Sequence, residues 1–334
     1  MRTAPTPDHT AEEAQKLLAR GVTMPDLFGQ NDGPLWVTYQ QLDVFRELAK
    51  IGFDAIRIPI NLTRAQRMTT APGAELSEAW LARLERVVRQ ARRAKLSVVI
   101  VARMDADISD PATQQQLIAD WSQIAWHFRS ADDRVYFELI ENFDGEMNDA
   151  AWSRLAEEIR LAIRLSNPDR FLIVSAAQRY NPARLAHLDL PPDSKLLFAF
   201  SYNEPLSFTQ QRAVPRGDDT WQGELWNGTE QETRRIEQDL DNATRWASEH
   251  NRKLFCSSFS ATAEADPESR MRWDRLRCAS LGKPRHRVEL SGLRWAGRNL
   301  RPRVAHLATT PRQHTIGQIT LPALELIHIN LTLH

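Results

Sequence analysis

Residues Ser77–Ala102, SEAWLARLERVVRQARRAKLSVVIVA, set two periodicities side by side. Leu81, Leu84, Val87, Val88 and Ala91 recur at intervals of three and four, which gathers their side chains on one helical face. After Lys95 the pattern gives way to SVVIVA, a short β-branched run suited to a strand buried on both faces. An amphipathic helix handing over to a fully apolar strand is the repeating step of a βαβ fold, in which parallel strands are covered by helices.

The same alternation extends in both directions. Strands are expected near Gly21–Met24, Ala55–Ile60, Ser97–Ala102, Val135–Ile140, Phe171–Ser175, Leu196–Ser201, Lys253–Phe259 and Gly292–Ala296. Helical stretches fall at Gln40–Lys50, Ser77–Lys95, Pro111–Arg129, Ala150–Leu165, Glu230–His250 and Pro267–Ser280, with a short one at Pro182–His187. Asn167-Pro168-Asp169 reads as a helix stop and turn ahead of the strand at Phe171. A last apolar segment, Ile319–Ile329, is expected to close the ring. Eight strands with intervening helices favour a closed (β/α)8 TIM barrel over an open doubly wound sheet. No Gly-rich dinucleotide fingerprint follows any strand, and the chain has only 13 glycines. The absence of a Gly-, Ser- or Pro-rich linker points to one barrel domain over 21–334, preceded by a polar N-terminal segment, 1–20.

Lys+Arg and Asp+Glu balance at 43 each, which removes the basic footprint of a nucleic-acid binder. Basic residues do crowd between Arg270 and Arg303, read as a solvated helix face and loop. Cys256 and Cys278 make neither a disulfide framework nor a zinc site, and the nine histidines lack HxH or HExxH spacing. No metal or cofactor is therefore expected. No apolar run reaches the 18 residues of a membrane span.

In a TIM barrel the functional residues sit at the C-terminal ends of the strands, and there the motifs become specific. Gly52–Pro59 (GFDAIRIP), Phe137–Ile140 (FELI), Ala162–Arg164 with Asn167–Arg170, Phe200–Gln211 (FSYNEPLSFTQQ) and Phe259–Ala261 with Ala265–Arg270 and Trp273 occur in order. This series resembles the family 5 glycoside hydrolases, the cellulase family, from about Gly21 to Arg277. The resemblance implies a retaining glycosidase, which works with two carboxylates about 5 Å apart. It also implies a polysaccharide or oligosaccharide ligand and a secreted or periplasmic location, although no signal peptide is visible in Met1–Arg20.

At the positions the resemblance singles out, the chemistry is missing. The acid/base position carries Asn142 and the nucleophile position Ser258. The third-strand and sixth-strand histidine positions carry Arg103 and Ser201. Arg57 and Tyr202 remain, and in the family such residues orient the nucleophile. The reading is an inactive family 5-like pseudoenzyme whose degenerate cleft includes Arg57, Arg103, Glu141, Asn142, Ser201, Tyr202, Trp221 and Ser258. One alternative is an active hydrolase using displaced carboxylates, drawn from Glu138, Glu141, Asp105 and Glu204. The other is a protein-interaction scaffold whose cleft is blocked, with Arg103 helping to fill it. Trp36, Trp221 and Trp226 fall in expected loops, where their faces are available to stack on sugar rings. Trp80, Trp121, Trp126, Trp152, Trp246 and Trp273 fall on helices, as packing residues. Arg57 is expected in a buried pair with Glu138.

Overall fold

The structure is a computed structural model describing residues 10–24, 44–65, 67–69, 73–141, 147–177, 181–211, 221–259, 261–262, 264–281 and 331–333. Seven strands form one parallel sheet in sequence order: β1 (Arg20–Thr23), β2 (Ala55–Asn61), β3 (Ser97–Arg103), β4 (Val135–Glu138), β5 (Leu172–Ser175), β6 (Leu196–Ser201) and β7 (Leu254–Ser258). An eighth strand, β8 (Leu331–Leu333), pairs antiparallel with the other edge of β1, Arg20 opposite Leu333. The expected strand at Gly292–Ala296 and the segment Ile319–Ile329 lie outside the described residues. The fold is a single-domain (β/α)8 barrel.

Helices α1 (Ala11–Leu17), α2 (Val44–Ile51), α3 (Glu78–Arg93), α4 (Pro111–His127), α5 (Asp149–Arg164), α6 (Leu206–Thr209), α7 (Glu230–Glu249) and α8 (Pro267–Leu281) connect or flank the strands. The stretch Pro182–His187 is a 3₁₀ turn. Their starts follow local chemistry. The side chains of Ser77, Asp110 and Asn148 accept the Trp80, Thr113 and Ala151 N–H groups, while Thr229 and Glu232 form a reciprocal capping box. Strand residues of even register, among them Ile56, Ile58, Val98, Ile100, Phe137, Val174 and Phe198, pack outward against Leu84, Val87, Leu117, Trp121, Trp152 and Ile159 of the helices.

The barrel interior is layered. Ala55, Val99, Tyr136, Ile173, Leu197, Ala199 and Phe255 fill its lower part, and Ala14 and Leu18 at α1 join them, both fully buried. Gln15 also donates its side-chain amide to the Leu254 carbonyl at 2.6 Å. Part of the supposed polar N-terminal segment is thus the barrel's bottom plug. Its capping box, Thr10 with Glu13, starts the helix. Two residues further along five of the strands the inward side chains turn polar: Arg57, Glu138, Ser175, Ser201 and Ser257 follow Ala55, Tyr136, Ile173, Ala199 and Phe255 at the period of a strand. That change marks where the core ends and the site begins.

Candidate functional site

Arg57 and Glu138 form the floor of the site. Arg57 donates from Nε and Nη2 to the two Glu138 oxygens at 2.6 and 3.0 Å, a bidentate pair with Glu138 wholly buried and Arg57 4% exposed. Arg57 Nη1 donates to Glu141 Oε1 at 3.0 Å. Glu141 lies just past the end of β4, tied down by its own N–H to the Ala102 carbonyl at 2.6 Å. The preceding Leu139 carbonyl accepts from the indole of Trp121 on α4 at 2.8 Å. One guanidinium therefore joins the fourth strand and the turn after it to the second strand.

The opposite wall comes from β6 and β7. Their register shifts between Phe200 and Ser201: Phe200 pairs with Cys256, and Ser201 with Ser258. The extra residue, Ser257, forms a bulge, and bulges re-aim side chains. Cys256 joins the outer core, whereas Ser257 and Ser258 both face the cavity. Ser201 Oγ and Ser257 Oγ lie 3.4 Å apart, and Ser257 Oγ is 3.3 Å from the Phe200 carbonyl it donates to. The Tyr202 N–H donates to the Ser258 carbonyl at 3.1 Å and fixes the start of the next loop.

Between these walls opens a cavity of about 380 Å³. From the floor at Arg57 and Glu141 it passes the serines and runs out between the turn at Asn181–Ala183 and the helix α7. Tyr202 lines it and donates its hydroxyl to Asp239 Oδ2 on α7 at 2.9 Å. Burial first, and the neighbouring Asp239 second, push the Tyr202 phenol far above its ordinary range. It stays protonated, a donor and not a base. Arg235 Nε stands 3.9 Å from Asp239 Oδ2. Glu204 is exposed at the mouth and accepts the Leu206 N–H at 3.3 Å. The amides of Asn203, Gln210 and Asn242 complete a lining rich in hydrogen-bonding groups.

Of the residues singled out from the sequence, Arg57, Glu141, Ser201, Tyr202 and Ser258 come together on this cavity. Asn142 lies outside the described residues, as does Trp36. Arg103 turns aside: it is half exposed, 3.7 Å from Asp105, and does not line the cavity. Asp105 is held below the usual carboxylate range by the Asn61 amide, and further by Arg64 and Arg103. Asp105 is therefore spent on a neighbouring cluster. Trp221 is partly exposed and stands apart from the cavity lining. Trp226 is 2% exposed, so its ring is closed to a ligand and the stacking role expected for it is corrected to core packing. Sequence reasoning missed Arg235, Asp239 and Asn242. Their spacing of four and three on α7, beside the buried stripe of Ile236, Leu240 and Ala243, was the available signal.

This barrel, with its strand-end site, matches a known family model. The model described as Cellulase (glycosyl hydrolase family 5) matches residues 13–286. The chain belongs to glycosyl hydrolase family 5. Endoglucanase H of Acetivibrio thermocellus is 25% identical over 231 residues, covering 69% of this chain and 24% of that protein. Cellodextrinase A of Ruminococcus flavefaciens is 23% identical over 242 residues, covering 68% of this chain and 70% of the relative. This family 5 chain thus spans about a quarter of the first of these proteins and most of the second. Among solved structures, a hyperthermophilic endo-β-1,4-glucanase in complex with substrate superposes with a TM-score of 0.73 at 25% identity, over 82% of this chain and 88% of that one.

Proposed function

We propose that this family 5 barrel binds a β-linked polysaccharide or oligosaccharide in its strand-end cavity without hydrolysing it. One observation carries the reading: the wall given by β7 presents the hydroxyls of Ser257 and Ser258, while Glu141, a carboxylate on the same cavity, is engaged by Arg57. Glycosidic cleavage needs two carboxyl groups flanking the bond, about 5 Å apart for retention and roughly 6.5–9.5 Å for inversion. A serine hydroxyl supplies neither the charge that stabilises an oxocarbenium ion nor, without an adjacent base, a nucleophile. Asn142, read at the acid/base position, has no proton to deliver. The hydroxyls and amides of the lining suit sugar hydroxyls, and the relatives' names make cello-oligosaccharides and β-glucans the first ligands to try.

Reducing-end release from β-glucan and mannan, measured beside calorimetric titration of cello-oligosaccharides, tests the proposal. Binding without turnover is expected. Turnover that disappears on Glu141→Gln would overturn it and favour the second reading, a hydrolase with displaced carboxylates. What recommends that second reading is that Glu141, Glu204 and Asp239 all line one cavity. A protein-interaction scaffold with a closed cleft is less favoured, because the described residues leave a cavity of about 380 Å³ and Arg103 lies beside Asp105.

A further inference from the structure

Helix α7 brings Arg235, Asp239 and Asn242 to the cavity at intervals of four and three, so one of its faces forms a wall there. Asp239 is held from behind by a buried group: Tyr202, 1% exposed, donates its hydroxyl to Oδ2 at 2.9 Å. Burial, and then Asp239 itself, keep that phenol protonated, so the bond persists through the neutral range. Among the described residues Oδ1 accepts no hydrogen bond, and the Asp239 side chain is 31% exposed. Arg235 Nε stands 3.9 Å from Oδ2, too far for a hydrogen bond, so the two groups do not consume each other. With Arg235 76% exposed, its guanidinium donors are open to a ligand. A fixed acceptor and a planar set of donors thus stand side by side on the cavity.

We propose that Asp239 and Arg235 form a sugar-binding subsite on α7 that holds two neighbouring hydroxyls of one pyranose ring. A hydroxyl both donates and accepts. One sugar hydroxyl donates to Asp239 Oδ1 and its neighbour accepts from Arg235. Both bonds are charge-assisted, and a few such placed groups are what orient a ligand in a pocket. The inference rests on the reading of this cavity as a site for a β-linked sugar and names the residues that grip it. It is indifferent to whether the sugar is then cleaved.

Calorimetric titration of cellotetraose into wild type, Asp239→Asn, Arg235→Met and Gln238→Ala tests the subsite. An asparagine at 239 must accept the Tyr202 hydroxyl through its one oxygen, which leaves an NH2 group where Oδ1 accepted. The internal bond is thus kept while the contact to the sugar is lost. Asp239→Asn should weaken binding about tenfold and Arg235→Met about fivefold. Gln238→Ala, exposed on the same helix but apart from the cavity lining, should bind within about twofold of wild type. Arg235 is exposed enough that its replacement leaves the fold intact, so it decides alone if Asp239→Asn does not fold. Wild-type affinity in either folded variant overturns the subsite and leaves the proposed function standing. So does a loss in Gln238→Ala equal to theirs. Hydrolysis of cellotetraose by wild type, with KM raised in Asp239→Asn and Arg235→Met, defeats the proposed function and leaves the subsite standing. Absence of any binding by wild type overturns both.

Discussion

Replacing Arg57 with methionine should be among the costliest single changes in this barrel. The substitution keeps much of the apolar stem and removes the cation. Glu138 then stays at zero exposure with both former guanidinium bonds, 2.6 and 3.0 Å long, gone. Breaking a buried ion pair by removing one partner costs about 3–5 kcal/mol, because the remaining charge is stranded. Glu141 adds less, since it is 24% exposed and water takes over part of Arg57's role there. A total near 4 kcal/mol corresponds to a fall in Tm of roughly 6 °C for a domain of this size.

The pH dependence of that loss separates this cause from a packing defect. In Arg57→Met, burial without the guanidinium disfavours the charged form of Glu138. Neutralising that carboxylate relieves the folded state more than the unfolded one, so acid restores part of the stability that the substitution removes. Urea unfolding at pH 5 and pH 8 should therefore show the deficit against wild type shrinking at the lower pH. Arg57→Met combined with Glu138→Gln should recover part of the loss at pH 8. A deficit under about 1 kcal/mol, or one of equal size at both pH values, would refute the claim that Arg57 is held by charge.

Leu18→Ala, in the bottom plug, should cost about 2–5 kcal/mol by urea unfolding, since Leu18 is fully buried against the lower barrel layer; a surface-like loss under 0.5 kcal/mol would remove α1 from the fold. Arg170 donates to the carbonyls of Phe128, Ala131, Asp132 and Val135, and burial lowers its pKa to about 10. Arg170→Met removes a charged donor from all four carbonyls, of which Phe128 and Asp132 keep a backbone N–H, and should cost about 2–4 kcal/mol at neutral pH, read by calorimetry. Asp193 resists the upward push of its burial because the Lys195 N–H, Arg164 and Arg160 hold its pKa below the usual value. Its stabilisation is present above the unfolded pKa and disappears as pH falls through the depressed folded value. Asp193→Asn should thus be less stable than wild type at pH 7, by about 1 kcal/mol, and match it near pH 2.

The sheet was legible because buried parallel strands carry unbroken β-branched runs that no helix period imitates. β6 and the expectation Leu196–Ser201 coincide, and β2, β3 and β7 begin or end within a residue or so of theirs. The plug α1 was not read, since AEEAQKL shows four polar residues in seven and hides its buried contacts, Ala14 and Gln15. Only the Thr10–Glu13 capping box announces it. Trp226 was misjudged for a related reason: an aromatic in a loop has no periodicity to say which way it faces. Its burial is decided by tertiary neighbours, among them Gly228 at φ +72°, where an added Cβ would come within 3.1 Å of the indole. The bulge at Ser257 left no mark in the sequence either. A regular strand would put Cys256 and Ser258 on one face; the shifted pairing with β6 separates them.

The persistence of the family's motifs here has a physical explanation that does not involve catalysis. The motif FELI and the motif around Arg57 meet in one buried pair, and losing either partner alone strands a charge in the barrel. Selection for folding is enough to keep both. Ser258 sits instead at the partly exposed rim, on a bulge, with no ion pair among the described residues relying on it. A substitution there breaks no buried ion pair among the described residues. The two kinds of site-facing residue thus obey different rules: those that hold the floor are retained by stability, and those on the rim are free to follow function. Arg57 and Glu138 are accordingly evidence for the fold of a glycosidase. Evidence for its chemistry has to come from the rim, and at 258 the rim carries a hydroxyl.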